Sequence, residues 1–242
     1  MRKRGVESRK ERDYTIELKS GILFLPPNDI IGDVSVFNEV FLDGSYETSY
    51  KDSVVIDLGG HRGYFGAYAL TMGAKAVNTF EPEPRNYDVL RRCVESFRAS
   101  GHRWTIEKAA VADRDGEADF YLWEESYGHS LYSMGEGSAL AGTKVEVRSI
   151  ASVLQEPDLA NQRVIAKVDI EGAECEVILR GGADWGLVDE IFMEFHDLGR
   201  CTMDEIVDHL GSFGLVLAGS SPTSNAEMHS YHFVRRPERD LP

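Results

Sequence analysis

Ser53-Val54-Val55-Ile56-Asp57-Leu58-Gly59-Gly60-His61-Arg62-Gly63 is the stretch that decides the fold of this chain. Val54 to Leu58 is apolar except for Asp57, a run of strand length without alternation. Such a run predicts a strand buried on both faces, as in a parallel sheet. The glycines after Leu58 turn the chain, and Tyr64–Met72 continues with helical apolar spacing until Gly73. Strand, glycine turn and helix make the first half of a βαβ unit.

Working outward, the same alternation recurs. Ala76–Phe80 predicts a second strand ending at Glu81-Pro82, and Pro84 opens a helix whose face is Tyr87, Leu90, Val94 and Phe97. Trp104–Ile106 predicts a third strand, running on into Lys108–Ala112. Ala118–Trp123 and Lys144–Ile150 read as an antiparallel pair around a long Gly/Ser-rich loop, Ser126–Gly142. Ile150–Leu154 is a short helical turn, Val164–Ile170 a buried strand, and Ala173–Leu179 a helix closed by Gly181-Gly182. Glu190–Phe195 is a fifth strand and Met203–Phe213 a helix. Leu215–Ala218 and Tyr231–Val234 end the sheet as an antiparallel edge hairpin. The pattern predicts a doubly wound, mostly parallel α/β sheet. Upstream, Tyr14–Leu25 reads as a hairpin turning at Ser20-Gly21, and Val34–Tyr46 as a short helix or strand. The expected organisation is a basic, disordered tail over 1–12, a cap over 13–50 and a catalytic domain over 51–236.

Charge narrows the partners. The net charge is −15. Six of the 26 basic and two of the 41 acidic residues fall in residues 1–12, so the rest carries −19. A body that acidic repels phosphate backbones, which argues against a long nucleic acid. No apolar run is long enough to span a bilayer, so no membrane is expected. Cys93, Cys175 and Cys201 are odd in number and widely spaced. They are expected as thiols in a reducing cytoplasm. Ile30, Ile31, Phe37 and Phe41 are available to pack on the sheet or on a second subunit, and a homodimer is an expectation.

Ligands of open α/β sheets sit beyond the carboxyl ends of the strands. Here Asp57, Gly59, Gly60, His61 and Gly63 form the first such end. Leu58 stands where a dinucleotide fingerprint has its first glycine, and an acid at the strand end suits a cationic ligand better than a pyrophosphate. Glu81 ends the next strand, placed to accept both hydroxyls of a ribose. Together these point to an adenosyl ligand without phosphates.

The runs Val55–Phe65, Phe80-Glu81-Pro82, Lys108-Ala109-Ala110-Val111, Gly128–Leu131, Ala166–Glu174 and Met193–His196 resemble, in order, the FkbM family of methyltransferases. The likeness covers roughly residues 35–235, with Lys167–Glu174 the most specific part. It implies the class I methyltransferase fold, Rossmann-like with a seven-stranded sheet. It also implies S-adenosyl-L-methionine as methyl donor and oxygen as acceptor, on sugars, polyketides or related small molecules. By that resemblance Asp57, Gly59 and Gly63 line the methionine side, Glu81 holds the ribose, and Ala110 or Val111 flanks the adenine. Gly60, His61 and Asp169 complete the cofactor-binding set.

Transfer to an alcohol needs a positioned hydroxyl and a base, or a metal that lowers its pKa. Lys167, Asp169 and Glu171 alternate at the end of one strand, with Glu174 a helical turn on, and Glu194 and His196 end the neighbouring strand. His196, Asp169, Lys167 and Glu171 are the candidate catalytic residues, with His196 or Asp169 as base. Asp169, Glu194 and His196 are the candidate ligands of a divalent cation, Mg2+ or Ca2+. Glu176, on the same helix, is expected at the surface, and His102, His209, His229 and His232 as structural or exposed. His129 and Ser130 lie in a loop that can close over the acceptor. Tyr64, Phe65, Trp123, Tyr127 and Tyr132 are candidate aromatic walls.

Three other readings compete. One is ribose 2'-O-methylation of a free nucleotide, with Arg62, Arg85 or the basic tail holding a phosphate. The second is a non-catalytic adenosyl-binding module, against which the intact polar runs speak. The third, a dinucleotide-dependent oxidoreductase, is disfavoured by Leu58 and Asp57.

Overall fold

A computed structural model describes residues 13–122, 129–131, 141–222 and 229–236. The basic tail, Trp123, Tyr127, Tyr132 and most of the Ser126–Gly142 loop lie outside the described residues. The chain opens with the expected hairpin, β1 (Tyr14–Leu18) antiparallel to β2 (Gly21–Leu25). The ambiguous segment after it is a helix, α1 (Ile30–Phe41), which starts earlier than its apolar pattern predicts.

The central run is β3 (Ser53–Leu58), buried at every position as its unbroken apolar character demands. Next come α2 (Tyr64–Thr71), β4 (Ala76–Phe80), α3 (Pro84–Ala99) and β5 (Trp104–Glu107). Glu83 caps α3 by accepting from Asn86 N, with Pro84 at the first helical position. β6 (Ala109–Ala112), β7 (Gly116–Leu122) and β8 (Ala141–Ser149) make a separate three-stranded sheet, and α4 (Ile150–Leu154) follows. β9 (Arg163–Val168), β10 (Glu190–Phe195), α5 (Met203–Ser212), β11 (Leu215–Pro222) and β12 (His229–Arg235) complete the chain.

The main sheet has seven strands in the order β11-β12-β10-β9-β3-β4-β5. Pairing from β10 to β5 is parallel, and β12 is antiparallel to both β10 and β11. The chain walks from β3 to β5 on one side, then returns to β9 on the other. β3 and β9 therefore flank the switch point, where a crevice opens beyond their carboxyl ends. Two apolar cores cover the two faces of the sheet. One gathers Ile56, Ile150, Trp185 and Ile191, the other Tyr64, Phe65, Phe97 and Trp104. Among the described residues no helix is long and apolar enough to cross a membrane.

Three expectations need correction. The helix expected over Ala173–Leu179 is a wider π-type turn at Glu176–Arg180. Glu176 is buried, because Arg180 and Arg200 close over its carboxylate at 3.4 and 2.8 Å. Cys175 and Cys201 form a disulfide, leaving Cys93 alone as a buried thiol. Their Cα atoms lie 5.8 Å apart across the end of the sheet although 26 positions separate them, a proximity that spacing does not reveal. In α1, Ile30, Phe37 and Phe41 pack against the core, one of the two outcomes expected for them, while Ile31 projects, 86% exposed.

Candidate active site

The crevice is a cavity of about 650 Å³ lined by residues of both flanking strands, α1, β6 and the loop at His129. One half of it grows from the end of β3. Gly59 has φ +81°, and a Cβ there would stand 1.8 Å from the carbonyl oxygen of Asp169. Only glycine lets the two strand ends approach so closely. His61 also takes a positive φ, +49°, and its backbone N–H donates to Glu81 Oε2 at 2.7 Å. Glu83 N donates to the other oxygen at 2.8 Å. Burial pushes the Glu81 carboxyl up to about 8 despite these donors. Gly59, Gly60, His61, Glu81, Ala110, Val111 and Asp169 all line the cavity. Asp57 lies fully buried beneath the loop, and Gly63 is the residue preceding α2.

Lys167 pairs in register with Asp57 across β3 and β9. Its ammonium donates to the carbonyl of Gly59 at 2.9 Å and lies 3.0 Å from Asp169 Oδ2 and 3.7 Å from Asp57 Oδ1. Burial opposes the charge, but Asp169 and Asp57 outweigh it and hold the pKa above the ordinary lysine value. The side chain is thus committed to bracing the glycine loop and neutralising two acids.

The other half of the cavity centres on His196, just past β10. Its Nδ1 lies 3.1 Å from Glu174 Oε1, and its Nε2 lies 3.1 Å from Glu171 Oε2 and 4.0 Å from Glu194 Oε1. Glu174 is fully buried and accepts from the backbone N–H groups of Ile170 and Gly172. Burial disfavours charge on the ring, yet Glu171 and Glu174 together push His196 up to about 12. An imidazole flanked by carboxylates at both nitrogens is an imidazolium. Glu171 sits at φ +55°, and Ser130 Oγ donates to its carbonyl at 2.5 Å. Burial first, then repulsion from Asp169, pushes Glu194 up to about 8. Glu39, reaching in from α1, is raised for the same two reasons.

Among the described residues, the set with metal-ligand spacing is Asp169, Glu171 and His196, one ligand atom of each within 4.8 Å of the others. Glu171 stands where Glu194 was expected, because the chain turns at Ile170 and brings Glu171 back over His196. Arg62, expected to be free for a phosphate, is buried against Asp29 and Asp33. Arg85 pairs with Glu83 at 2.9 Å. Tyr64, Phe65 and His129 line the cavity. Glu39, Tyr46, Asn86 and Phe120 line it too, and sequence reading missed them. Glu39 and Tyr46 lie in the cap, where no motif marks them. Asn86 follows the Pro84 signal by two positions and was legible as a helix start only. His232 stacks on Phe192 at 4.3 Å and meets Glu190 at 2.7 Å, a structural role.

The methyltransferase FkbM domain matches residues 57–215, from the aspartate under the glycine loop to the start of β11. The chain belongs to the FkbM methyltransferase family. It is an S-adenosylmethionine-dependent methyltransferase of the class I fold. Methyltransferase 1 of Beauveria bassiana (strain ARSEF 2860) is 27% identical over 184 residues, 67% of this chain and 73% of that protein. Methyltransferase sdnD of Sordaria araneosa is 27% identical over 191 residues, 66% and 73% of the two chains. Among solved structures, a candidate tRNA (m1A22) methyltransferase from Streptococcus pneumoniae with S-adenosyl-L-methionine is similar at TM-score 0.50 and 10% identity. That likeness covers 85% of this chain and 75% of the other, and it speaks for the fold alone.

Proposed function

We propose that this FkbM-family enzyme methylates a hydroxyl of a small molecule that carries no phosphate, such as a sugar or a polyketide alcohol. The observation that carries the reading is the division of one cavity into two chemically distinct halves. Small residues and Glu81 line one half, and carboxylates with His196 line the other. The donor molecule supplies an electrophilic methyl on a sulfonium. Glu81 with the Gly59–Gly63 loop is suited to hold its adenosine and methionine parts.

The protein then has to orient the hydroxyl and take its proton. His196, charged and locked between Glu171 and Glu174, serves as a positioning group and hydrogen-bond donor. Asp169 is neutralised by Lys167. That leaves Glu194, whose paired cationic nitrogen stands 4.0 Å away, as the carboxylate with most proton affinity to spare. We assign it the base. This moves the base from His196 or Asp169, and Lys167 from hydroxyl activation to support of the loop.

Charge selects the acceptor. Glu39, Asp169, Glu171 and Glu194 face the cavity, against two cations already engaged by carboxylates. Lys167 and His196 are both already paired with carboxylates, so neither is available to hold a phosphate, and a neutral or amine-bearing alcohol is favoured over a free nucleotide. A second reading is assistance by a divalent cation, supported by the spacing of Asp169, Glu171 and His196. It requires His196 to lose its proton, and the Lys167 ammonium competes for Asp169.

The test is release of S-adenosylhomocysteine with a panel of sugars, macrolide alcohols, amino sugars, nucleosides and mononucleotides, each with chelator or added Mg2+ or Ca2+. Turnover on an alcohol lacking phosphate, retained in chelator, supports the proposal. Turnover confined to nucleotides, or methyl found on nitrogen, overturns it. Loss in chelator moves the mechanism to the cation reading.

A further inference from the structure

The cofactor loop and the cap helix meet in a buried polar cluster that the chemistry above leaves unused. Arg62, 5% exposed, sits inside the glycine loop. Its Nη1 lies 2.6 Å from Asp33 Oδ1 and 3.1 Å from Asp29 Oδ2. Its Nε donates to Asn86 Oδ1 at 3.2 Å, and the Tyr64 hydroxyl donates to Asp33 Oδ1 at 2.7 Å. One guanidinium thereby ties together the loop, the entry to α1, α1 itself and α3, with α2 joined through Tyr64.

We propose that Arg62 is a positioning residue that couples filling of the cofactor loop to placement of α1 as the wall of the acceptor site. Asp33 and Val40 are the buried residues of α1, so Asp33 is the buried anchor of the helix's first turn. The same helix sends Val36 and Glu39 into the cavity, within two turns of that anchor. On the other side of Arg62, His61 gives its backbone N–H to Glu81, the ribose acceptor. Any adjustment of the loop around a bound donor therefore acts on a rigid planar fork whose far end is fixed to α1. Guanidinium geometry transmits such a shift, because its N–H directions are fixed relative to one another. The fully buried Asp33 carboxylate is compensated chiefly by this one cation, and water cannot readily replace it. The inference rests on the acceptor half of the cavity being where the hydroxyl substrate sits.

Hydrogen exchange of the full chain, with and without S-adenosylmethionine, tests the coupling. In the wild type the donor is expected to slow exchange over residues 30–41 by about tenfold, in the middle of the range for coupled sites. In Arg62→Met and Asp33→Asn the donor should still protect residues 59–63, while its effect on 30–41 falls below about twofold. Arg62→Lys, which keeps one charge contact, should retain part of the effect. If Arg62→Met does not fold, the near-isosteric Asp33→Asn carries the same test. A purely structural role would speed exchange in α1 equally with and without donor, leaving their ratio unchanged, and that result overturns the proposal. So does a wild type in which 59–63 is protected and 30–41 is not. Absence of any protection at 59–63 in the wild type would instead fault the cofactor site on which the inference stands.

Discussion

Glu81 keeps a proton to about pH 8 although two backbone N–H groups point at its carboxylate, because burial outweighs them. Its ordinary value is 4.5, so the folded protein binds this proton more tightly than the unfolded chain. The stability it contributes is complete below pH 4.5 and is lost as pH rises through about 8. Thermal melts of the donor-free enzyme should therefore fall between pH 5 and 8.5, and Glu81→Gln should flatten that slope. The same substitution should weaken S-adenosylmethionine binding about twofold to tenfold by calorimetry, the worth of a hydrogen bond between uncharged groups. For the acceptor half, Glu174→Gln removes the buried charge that fixes the His196 ring. We expect kcat to drop about a hundredfold, within the range for acid–base residues, with donor affinity unchanged. Asp57 and Glu81 were legible in the sequence because a strand end followed by small residues or proline places an acid predictably. The pairing of Lys167 with Asp169 and the arrival of Glu171 at His196 were not, since both depend on the path of the chain beyond Val168.

At the scale of elements, buried apolar runs translated directly into strands, and all seven strands of the main sheet were visible as such. Helix boundaries were less so. The start of α1 at Ile30 is hidden because Asp29 and Asp33 face a buried arginine instead of water, which breaks the amphipathic pattern. Gly59 marks the tightest contact between elements. Gly59→Ala places a methyl inside the carbonyl of Asp169 at a positive φ, so destabilisation of more than about 2 kcal/mol is expected from the left-handed conformation and the clash together. A urea midpoint measures it. The Cys175–Cys201 bridge joins the turn that carries Glu174 to the segment that follows His196. Cys201→Ser should cost about 3.5 kcal/mol in urea, the loop-closure value for a span of this length. Kinetics of the same variant should show a larger loss in kcat than in donor affinity, because the two ends it releases carry Glu174 and His196. Cysteine spacing alone pointed to free thiols, and only the fold brings these two together.

For the whole molecule, strand order matters more than strand content. The reversal between β3 and β9 puts the glycine loop and the Lys167–Glu174 run at neighbouring strand ends, so that both open onto one crevice. The surplus of acid that argued against nucleic acid from composition is also present inside that crevice. The edge of the sheet has a consequence in time. His196 and Glu194 ride on β10, whose outer neighbour is β12, a strand made more than thirty residues later. While the ribosome is still extending the chain through β11, β10 presents an unpaired edge. The carboxylate–imidazole cluster at its end has no fixed floor until residue 235 has cleared the exit tunnel. A nascent chain arrested short of that point should therefore bind donor through β3 and β4 before it can methylate anything.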